Sequence, residues 1–252
     1  MNLLALTGLL AAVLTLGDHA FIGRTRSQGS PPPDNSLVFH YKFNEGTGTN
    51  LTDEAGAYDG WAVGGTWVTG ASGSGGALQF NGTSDWARTA SQVVWGTNAV
   101  SISLWLYWDA YANNDDLAFE LGPNTAVNYP GFFLDPNSSF TTPNFCFSIR
   151  DAGGYSTRSI SRPSAAVWHH YVLTYNHSSA PSVLELYVDG VLQSLTSNAN
   201  ATSQTTAFVT HYIYLMCRGG TTTFGAGRLD DFRAYKGVLD ATEVAYLFAN
   251  PQ

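Results

Sequence analysis

Tryptophans are the residues of this 252-residue sequence that are best suited to holding a ligand. Four of the seven lie in glycine-rich, turn-like stretches, namely Trp61, Trp67, Trp86 and Trp95. An exposed indole offers a flat apolar face on which a sugar ring can stack, while nearby Asn and Asp side chains read the sugar hydroxyls. These four are therefore the candidate ligand-binding residues, although core packing is the commoner fate of any single tryptophan.

Paired carboxylates, which glycoside hydrolysis requires as acid and as nucleophile or base, are not evident. The spacing E-x-D-x-x-E does not occur, and the nearest acidic pair is Glu185 with Asp189. Asp189 and Gly190 form a hairpin-turn signal, so a solvated strand and its turn better explain this pair. The motifs GxSxG, Walker A and HExxH are also missing. We therefore predict that the protein is not an enzyme.

Charge and composition exclude a nucleic-acid partner. The formal net charge is −8 and no cluster of Lys and Arg occurs, whereas binding to phosphates needs basic groups that displace counterions. Charged residues make up only 12% of the chain, and Gly, Ser, Thr and Asn are plentiful. This composition is typical of a strand-and-turn protein with a neutral, hydroxyl-rich surface.

The two cysteines, Cys146 and Cys217, lie in segments with strand patterns. No CxxC motif or Cys/His cluster is present, so a structural zinc site is not indicated. Two free, buried thiols and one disulfide formed in an oxidising compartment both agree with the sequence.

Residues 1–22 form an apolar N-terminal segment that contains the run LLALTGLLAAVLTL. Its length is typical of a secretory signal peptide and is short for a membrane span, but no Lys or Arg precedes it. The alternative is a retained arm that anchors the protein in a partner subunit, a lipid layer or a larger assembly. Residues 23–35 contain three consecutive prolines and small polar residues, which predicts a semi-rigid linker.

From residue 36 onward the apolar residues alternate with period two. In the segment Ser101 to Tyr107, Ile102, Leu104 and Leu106 share one face of a predicted strand. One helix is predicted near the C-terminus, where Asp240 and Glu243 have capping-box spacing. Many strands with one short helix predict an all-β fold, a two-sheet antiparallel β-sandwich of the jelly-roll type.

Six segments in order resemble the laminin-G-like, concanavalin A-like jelly-roll family. They are FHYKFNEGTGTNLTDEAGAYDG, GGALQFNGTSDWA, SISLWLYW, WHHYVLTY, LELYVDGVLQ and GRLDDFRAYKGVLDATEVAYLF. Within them, Asn81-Gly82 and Asp189-Gly190 are hairpin signals. The resemblance covers residues 37 to 248, so we assign residues 36–252 to one sandwich domain.

The resemblance also implies one structural calcium. Members of this family commonly hold the ion between an early Asp-x-x-Gly turn and late paired acids, and the matching positions are Asp53, Asp230 and Asp231. Calcium takes several oxygen ligands from carboxylates and carbonyls. Because adjacent strand residues face opposite sides, we expect only one of the two late acids to point into such a site.

The resemblance and the missing carboxylate pairs together favour a non-catalytic glycan-binding or adhesion module outside the cell or on its surface. The predicted partner is a glycan or a cell-surface polysaccharide. The first alternative is a structural decoration, spike or fibre protein of a virion or cell surface, assembled with its own subunits through residues 1–22. The second alternative is a glycoside hydrolase on the same fold.

Overall fold

The computed structural model describes residues 29–33, 36–73, 75–112, 114–122, 131–151, 154–178, 182–199 and 207–252. Within these ranges the chain forms seventeen strands and one helix. In chain order they are β1 Leu37–Tyr41, β2 Asn50–Leu51, β3 Gly60–Val63, β4 Thr66–Thr69, β5 Gly76–Asn81, β6 Trp86–Thr89, β7 Ala99–Trp108, β8 Phe119–Leu121, β9 Gly131–Asp135, β10 Phe145–Asp151, β11 Gly154–Ile160, β12 Trp168–Asn176, β13 Val183–Val188, β14 Val191–Leu192, β15 Thr196–Ala199, β16 Ile213–Leu215, β17 Ala226–Lys236 and α1 Ala241–Ala249.

The described strands form two antiparallel sheets that pack face to face. The eight-stranded sheet has the order β14-β13-β12-β7-β17-β5-β4, with β1 also paired to β17. The nine-stranded sheet has the order β15-β11-β10-β9-β8-β16-β6-β3-β2. The two-sheet jelly-roll sandwich predicted from the alternation is therefore confirmed.

Aromatic rings from both sheets fill the space between them. Phe132 of β9 stacks on Tyr175 of β12 with ring centroids 4.7 Å apart, and Phe145 of β10 stacks on Tyr171 of β12 at 5.2 Å. The predicted inward face of β7 belongs to the same core, because Ile102, Leu104 and Leu106 are all buried in it. Burial of large rings from both sheets is the main source of stability of such a sandwich.

Helix α1 covers part of the outer face of the eight-stranded sheet. The Asp240 carboxylate accepts the N–H groups of Thr242 and Glu243, and the Glu243 carboxylate accepts the N–H of Asp240 at 2.7 Å. The predicted capping box is thus confirmed. The apolar side of the helix, with Val244 and Leu247, is buried against side chains of the sheet, which are Val172, Tyr187 and Tyr235.

The two predicted hairpin signals have different outcomes. Asp189 and Gly190 have φ of 51° and 78° and join β13 to β14, which is the backbone that a tight hairpin requires. The prediction for Asn81-Gly82 was wrong, since β5 and β6 belong to different sheets. Asn81 instead accepts the N–H groups of the following residues with its side-chain oxygen, and this turn carries the chain from one sheet to the other.

The predicted N-terminal segment 1–22 lies outside the described residues, and of the linker 23–35 the structure describes residues 29–33. Within the described ranges, no helix is both long and apolar enough to cross a membrane. Gly29 lies against α1 so closely that a Cβ atom there would be 1.7 Å from the carbonyl oxygen of Thr242. Only glycine fits this approach of the linker to the helix.

Both cysteines are buried free thiols, so the alternative of a disulfide between Cys146 and Cys217 does not occur in this structure. Burial raises the pKa of each thiol to about 12. Thiols with so little thiolate at neutral pH are poor nucleophiles and poor metal ligands, and they act as small core residues.

Candidate glycan-binding face

One row of side chains crosses seven strands on the outer face of the nine-stranded sheet. Successive members are directly opposite one another across neighbouring strands, so all of them lie on the same face. From β3 to β11 the row is Trp61, Arg88, Tyr214, Glu120, Phe133, Ser148 and Thr157. We call the surface around this row the open face, because no helix of the described part of the chain packs on it.

An aromatic cluster forms one end of the open face. The rings of Trp61 and Trp86 have centroids 5.0 Å apart, and Trp86 also contacts Tyr214 at 6.0 Å. The guanidinium of Arg88 lies 4.0 Å from the ring centroid of Tyr212 and 5.0 Å from that of Trp61. All five side chains are half-buried. Each ring therefore keeps some surface in contact with solvent, where an apolar sugar face can stack.

An ion-paired cluster occupies the middle of the row. Glu120 is fully buried and its carboxylate accepts hydrogen bonds from the guanidinium of Arg150 and from Nε of Arg218, the latter at 3.2 Å. Both guanidinium groups also lie over the ring of Phe133, at 5.1 and 5.8 Å from its centroid. Glu120 and Phe133 hold the two arginines in place at the surface.

Beside this cluster lies a cavity of about 210 Å³. It is smaller than the roughly 300–1,000 Å³ typical of sites for drug-sized ligands, which suits a group of the size of one sugar ring. Two aromatic side chains line its exposed part, Phe140 with 60% of its surface exposed and Tyr155 with 53%. The remaining lining residues combine hydroxyls, guanidinium groups and an apolar ring, and they are Phe133, Ser148, Arg150, Thr157 and Arg218.

The four candidate tryptophans are distributed over three places. Trp61 and Trp86 lie together in the aromatic cluster of the open face. Trp67 is half-buried on β4 in the other sheet, where its indole N–H donates to the carbonyl of Gly48 at 3.0 Å. The prediction for Trp95 is corrected, because this residue is fully buried and packs edge-on against Phe132 in the core. Its ring has no face left for a ligand.

The three acids proposed for calcium are engaged with protein donors instead. The carboxylate of Asp53 accepts four backbone N–H groups, and that of Asp231 pairs with Arg233 at 2.8 Å and with His40 at 2.6 Å. Asp230 accepts the N–H of Ala71 at 2.8 Å. Among the described residues, no group of three or more His, Cys, Asp and Glu is arranged to hold a metal ion. These donors occupy both oxygens of Asp53 and of Asp231, which therefore offer no free oxygen to a shared calcium, whereas Oδ1 of Asp230 has no hydrogen-bond partner among the described groups.

A β-bulge explains why Asp230 and Asp231 do not alternate as expected. The register of β17 against β7 shifts between Asp230 and Arg233, and Asp231 has a φ of 50°. Leu229 and Phe232 therefore both point into the core with the two acids between them. The bulge turns both carboxylates away from the core, towards different partners.

Asp189, the second member of the acidic pair Glu185 and Asp189, also has a structural role. Asp189 accepts the N–H of His170 and the ring nitrogen Nδ1 of His169, at 2.9 and 2.8 Å. These hydrogen bonds outweigh partial burial and lower the pKa of Asp189. The carboxylate thus ties the hairpin turn to β12, as an anionic acceptor rather than an acid catalyst.

Sequence reasoning missed the charged members of the open face, Arg88, Glu120, Arg150 and Arg218. Part of the signal was available, since Ser148 and Arg150 alternate with the buried Phe147 and Ile149 along β10. The alternation does not reveal that β10 and β6 belong to the same sheet. Without the strand order, these arginines could not be placed beside the tryptophans.

Two kinds of similarity were found. The sequence matches the profile of the concanavalin A-like lectin/glucanases superfamily over residues 81–245. No curated protein matches it in sequence. Among solved structures, domain 4 of AbnA, an extracellular arabinanase from Geobacillus stearothermophilus, in complex with arabinotriose, has a TM-score of 0.62 at 18% identity, covering 85% of this chain and 98% of that one.

Receptor-binding parts of botulinum neurotoxins are similar as well. One neurotoxin type C structure, whose report concerns cell entry through two ganglioside molecules, has a TM-score of 0.63 at 13% identity and covers 86% of this chain. The binding domain of neurotoxin DC in complex with rat synaptotagmin II has a TM-score of 0.62 at 12% identity. This chain spans about half of each neurotoxin chain, 51% and 52%. At such identities the likeness shows the fold alone.

The superfamily profile covers more than half of the chain and includes the strands that build most of the open face. The sheet order, the sandwich core and the capped C-terminal helix agree with the resemblance seen in the sequence. The chain therefore belongs to the concanavalin A-like lectin/glucanases superfamily.

Proposed function

We propose that this protein is a non-catalytic glycan-binding module that works outside the cell, and that the open face is its binding surface. One observation carries the proposal. The small cavity beside Phe133 combines two exposed aromatic side chains, Phe140 and Tyr155, with the guanidinium groups of Arg150 and Arg218. Aromatic faces for the apolar side of a sugar ring and a few polar groups for its hydroxyls are what sugar binding needs.

The acids of this face support a binding role over a hydrolytic one. Hydrolysis requires two carboxyl groups about 5–10 Å apart across a cleft. In the row itself Glu120 is the one acid among the described residues, and both of its oxygens accept from arginines. Asp135, two residues from Phe133 on β9, is only 1% exposed and accepts the N–H of Asn137, so it does not face a cleft as a second acid. A carboxylate held by two cations is neither a ready proton donor nor a free nucleophile.

Similar folds in other proteins support the same proposal. The arabinanase domain was solved with arabinotriose, and the neurotoxin type C report names ganglioside molecules. Both ligands contain sugars, which makes a glycan the natural partner class for this chain.

Affinity electrophoresis in polysaccharide gels and a glycan array test the proposal. We expect Tyr155→Ala and Trp86→Ala each to weaken binding about three- to tenfold, which corresponds to the loss of one aromatic contact. Leu192→Ala is the matched control, because Leu192 is 54% exposed on the edge of the other sheet. If both open-face variants bind as well as the control, the binding surface has been assigned to the wrong place; if the wild-type protein binds no glycan, the function is wrong.

A further inference from the structure

We propose that the glycan is acidic, and that the open face holds its anionic groups at two separate positions, Arg88 and the Arg150–Arg218 pair. This inference rests on the proposed function and names the chemical class of its ligand. The anionic group is a carboxylate or a sulfate ester on a sugar. Guanidinium groups recognise both through paired N–H donors in one plane.

Arg88 is the first position. Its guanidinium lies over the rings of Tyr212 and Trp61, and it has no ion pair with any described carboxylate. Its Nε is buried without a hydrogen-bond partner among the described groups. A partly buried cation that lies over two rings has lost part of its hydration, and an anionic ligand on the solvent side of the guanidinium would compensate for this loss.

Arg150 and Arg218 form the second position. Together they carry two positive charges, and the buried Glu120 supplies one negative charge. One positive charge therefore remains on the wall of the 210 Å³ cavity. Asp135 lies two residues from Phe133 on β9, but burial raises the pKa of its carboxyl to about 8, so it is mostly uncharged at neutral pH and does not cancel the arginines.

The charge of the open face is opposite to that of the whole chain. The charged residues of the row and its cavity, three arginines and one glutamate, sum to 3 − 1 = +2, while the formal net charge of the chain is −8. An anionic polymer would be attracted to this face and repelled by the rest of the surface.

The spacing of the two positions selects an extended ligand. Neighbouring strands lie about 4.8 Å apart, so Arg88 on β6 is roughly 10 Å from the strand of Glu120 and roughly 19 Å from the strand of Arg150. A sugar chain that runs across the strands, along the row, would meet both positions with different residues. We therefore expect the ligand to be an oligosaccharide or polysaccharide with repeated charges rather than a single acidic sugar.

Two charged and uncharged pairs of probes test this inference. They are polygalacturonate against the same polymer with its carboxylates reduced, and dextran sulfate against dextran. We expect stronger binding of the charged member of at least one pair, weakened by added salt. The pair that shows this preference identifies the anion as carboxylate or sulfate. Equal binding of both members of every pair would overturn the inference and leave the proposed function standing, whereas no binding to any probe or array glycan would overturn both.

Arg88→Gln supplies the residue-level test. We expect it to weaken binding of the preferred acidic probe about tenfold, the loss typical of one hydrogen bond to a charged group, and to leave binding of the neutral member unchanged. Arg228→Gln is the matched control, because Arg228 is also half-buried, lies over Tyr107 at 4.3 Å and has an unpartnered Nε, but belongs to the other sheet. Arg88→Lys, which keeps the charge without the planar fork, should recover part of the binding. Equal affinities of Arg88→Gln and Arg228→Gln, with unchanged melting curves, would contradict the assignment.

Discussion

The outer faces of the two sheets differ in what covers them. On the eight-stranded sheet, α1 buries an apolar patch that includes Val172, Tyr187 and Tyr235. On the nine-stranded sheet, the corresponding surface carries rings and arginines that remain partly in contact with solvent. The first face contributes to stability, and the second is the proposed binding surface.

This difference shows how one architecture separates two tasks. The helix follows β17 directly in the chain, so it can only cover the sheet to which β17 belongs. The covered face can then be apolar without a risk of aggregation. The other face has no such cover among the described residues. Its large rings are instead partly covered by the guanidinium groups of arginines.

The largest effect is expected from truncating a side chain through which α1 packs on the eight-stranded sheet. Leu247 is 1% exposed within the contact between α1 and the sheet. We expect Leu247→Ala to lower the free energy of unfolding by about 3 kcal/mol, since it removes buried methyl groups and leaves a cavity. Urea denaturation would measure this loss. Val238→Ala, at a residue 45% exposed just before the helix, should change stability by less than about 0.5 kcal/mol, and a comparable loss there would contradict the anchoring role.

Glu120→Gln tests whether the buried carboxylate of the open face stabilises the fold while it reduces the affinity for an acidic polymer. The substitution leaves two guanidinium groups around a neutral, buried amide, and we expect the free energy of unfolding to fall by about 2 kcal/mol. The same change removes the one negative charge of the row, so affinity for an acidic polymer should rise. Glu54→Gln, in an exposed pair with Lys42, should cost about 0.5 kcal/mol at most. A fall in acidic-glycan affinity for Glu120→Gln in a folded protein would show that positioning of the arginines outweighs their charge.

Each sheet also contains one buried acid whose titration should reduce stability at high pH. Burial raises the pKa of Asp230, on the covered sheet, to about 7, and that of Asp135, on the open sheet, to about 8, from an ordinary value of 3.8. The native state thus binds these protons more tightly than the unfolded chain. Their contribution to stability is complete below about pH 4 and is lost as the pH rises through 7 and 8.

Asp230→Asn and Asp135→Asn should therefore each raise the free energy of unfolding at pH 8, by about 1 kcal/mol, and should have little effect at pH 4. Thermal melts at both pH values measure the difference. Asp240→Asn is the control, because hydrogen bonds from Thr242 and Glu243 lower the pKa of Asp240. This substitution should therefore lower, not raise, the free energy of unfolding at pH 8. A gain at pH 4 that equals the gain at pH 8 would exclude titration as the cause.

The smallest expected effect concerns calcium. Because protein donors already surround Asp53 and Asp231, we expect a chelator to leave the melting temperature essentially unchanged. An ion bound only to the native state would instead add stability by mass action, so its removal would lower the melting temperature by several degrees. Such a fall, reversed by added calcium, would show that these donors yield to the ion.

Much of the covered sheet could be predicted from the sequence alone. The inward residues of β7, the capping box at Asp240 and the hairpin at Asp189-Gly190 all depend on neighbours within a few positions of one another. Side-chain direction alternates along a strand, and caps and tight turns select particular residues, so these features are encoded locally. The order of the six family-like segments also predicts the two-sheet sandwich.

Only the tertiary structure decided what the open face contains. Trp95 and Trp86 have similar glycine-rich surroundings in the sequence, yet one is in the core and the other on the surface. Arg88 is opposite Tyr214, which is more than a hundred residues later in the chain, and the bulge at Asp230 depends on how β17 pairs with its neighbours. The alternation within one strand indicates which of its residues share a face, but it does not indicate which strand pairs with it in the sheet. Strand order and register are set by many non-local contacts at once, and they determined which side chains meet across this sheet.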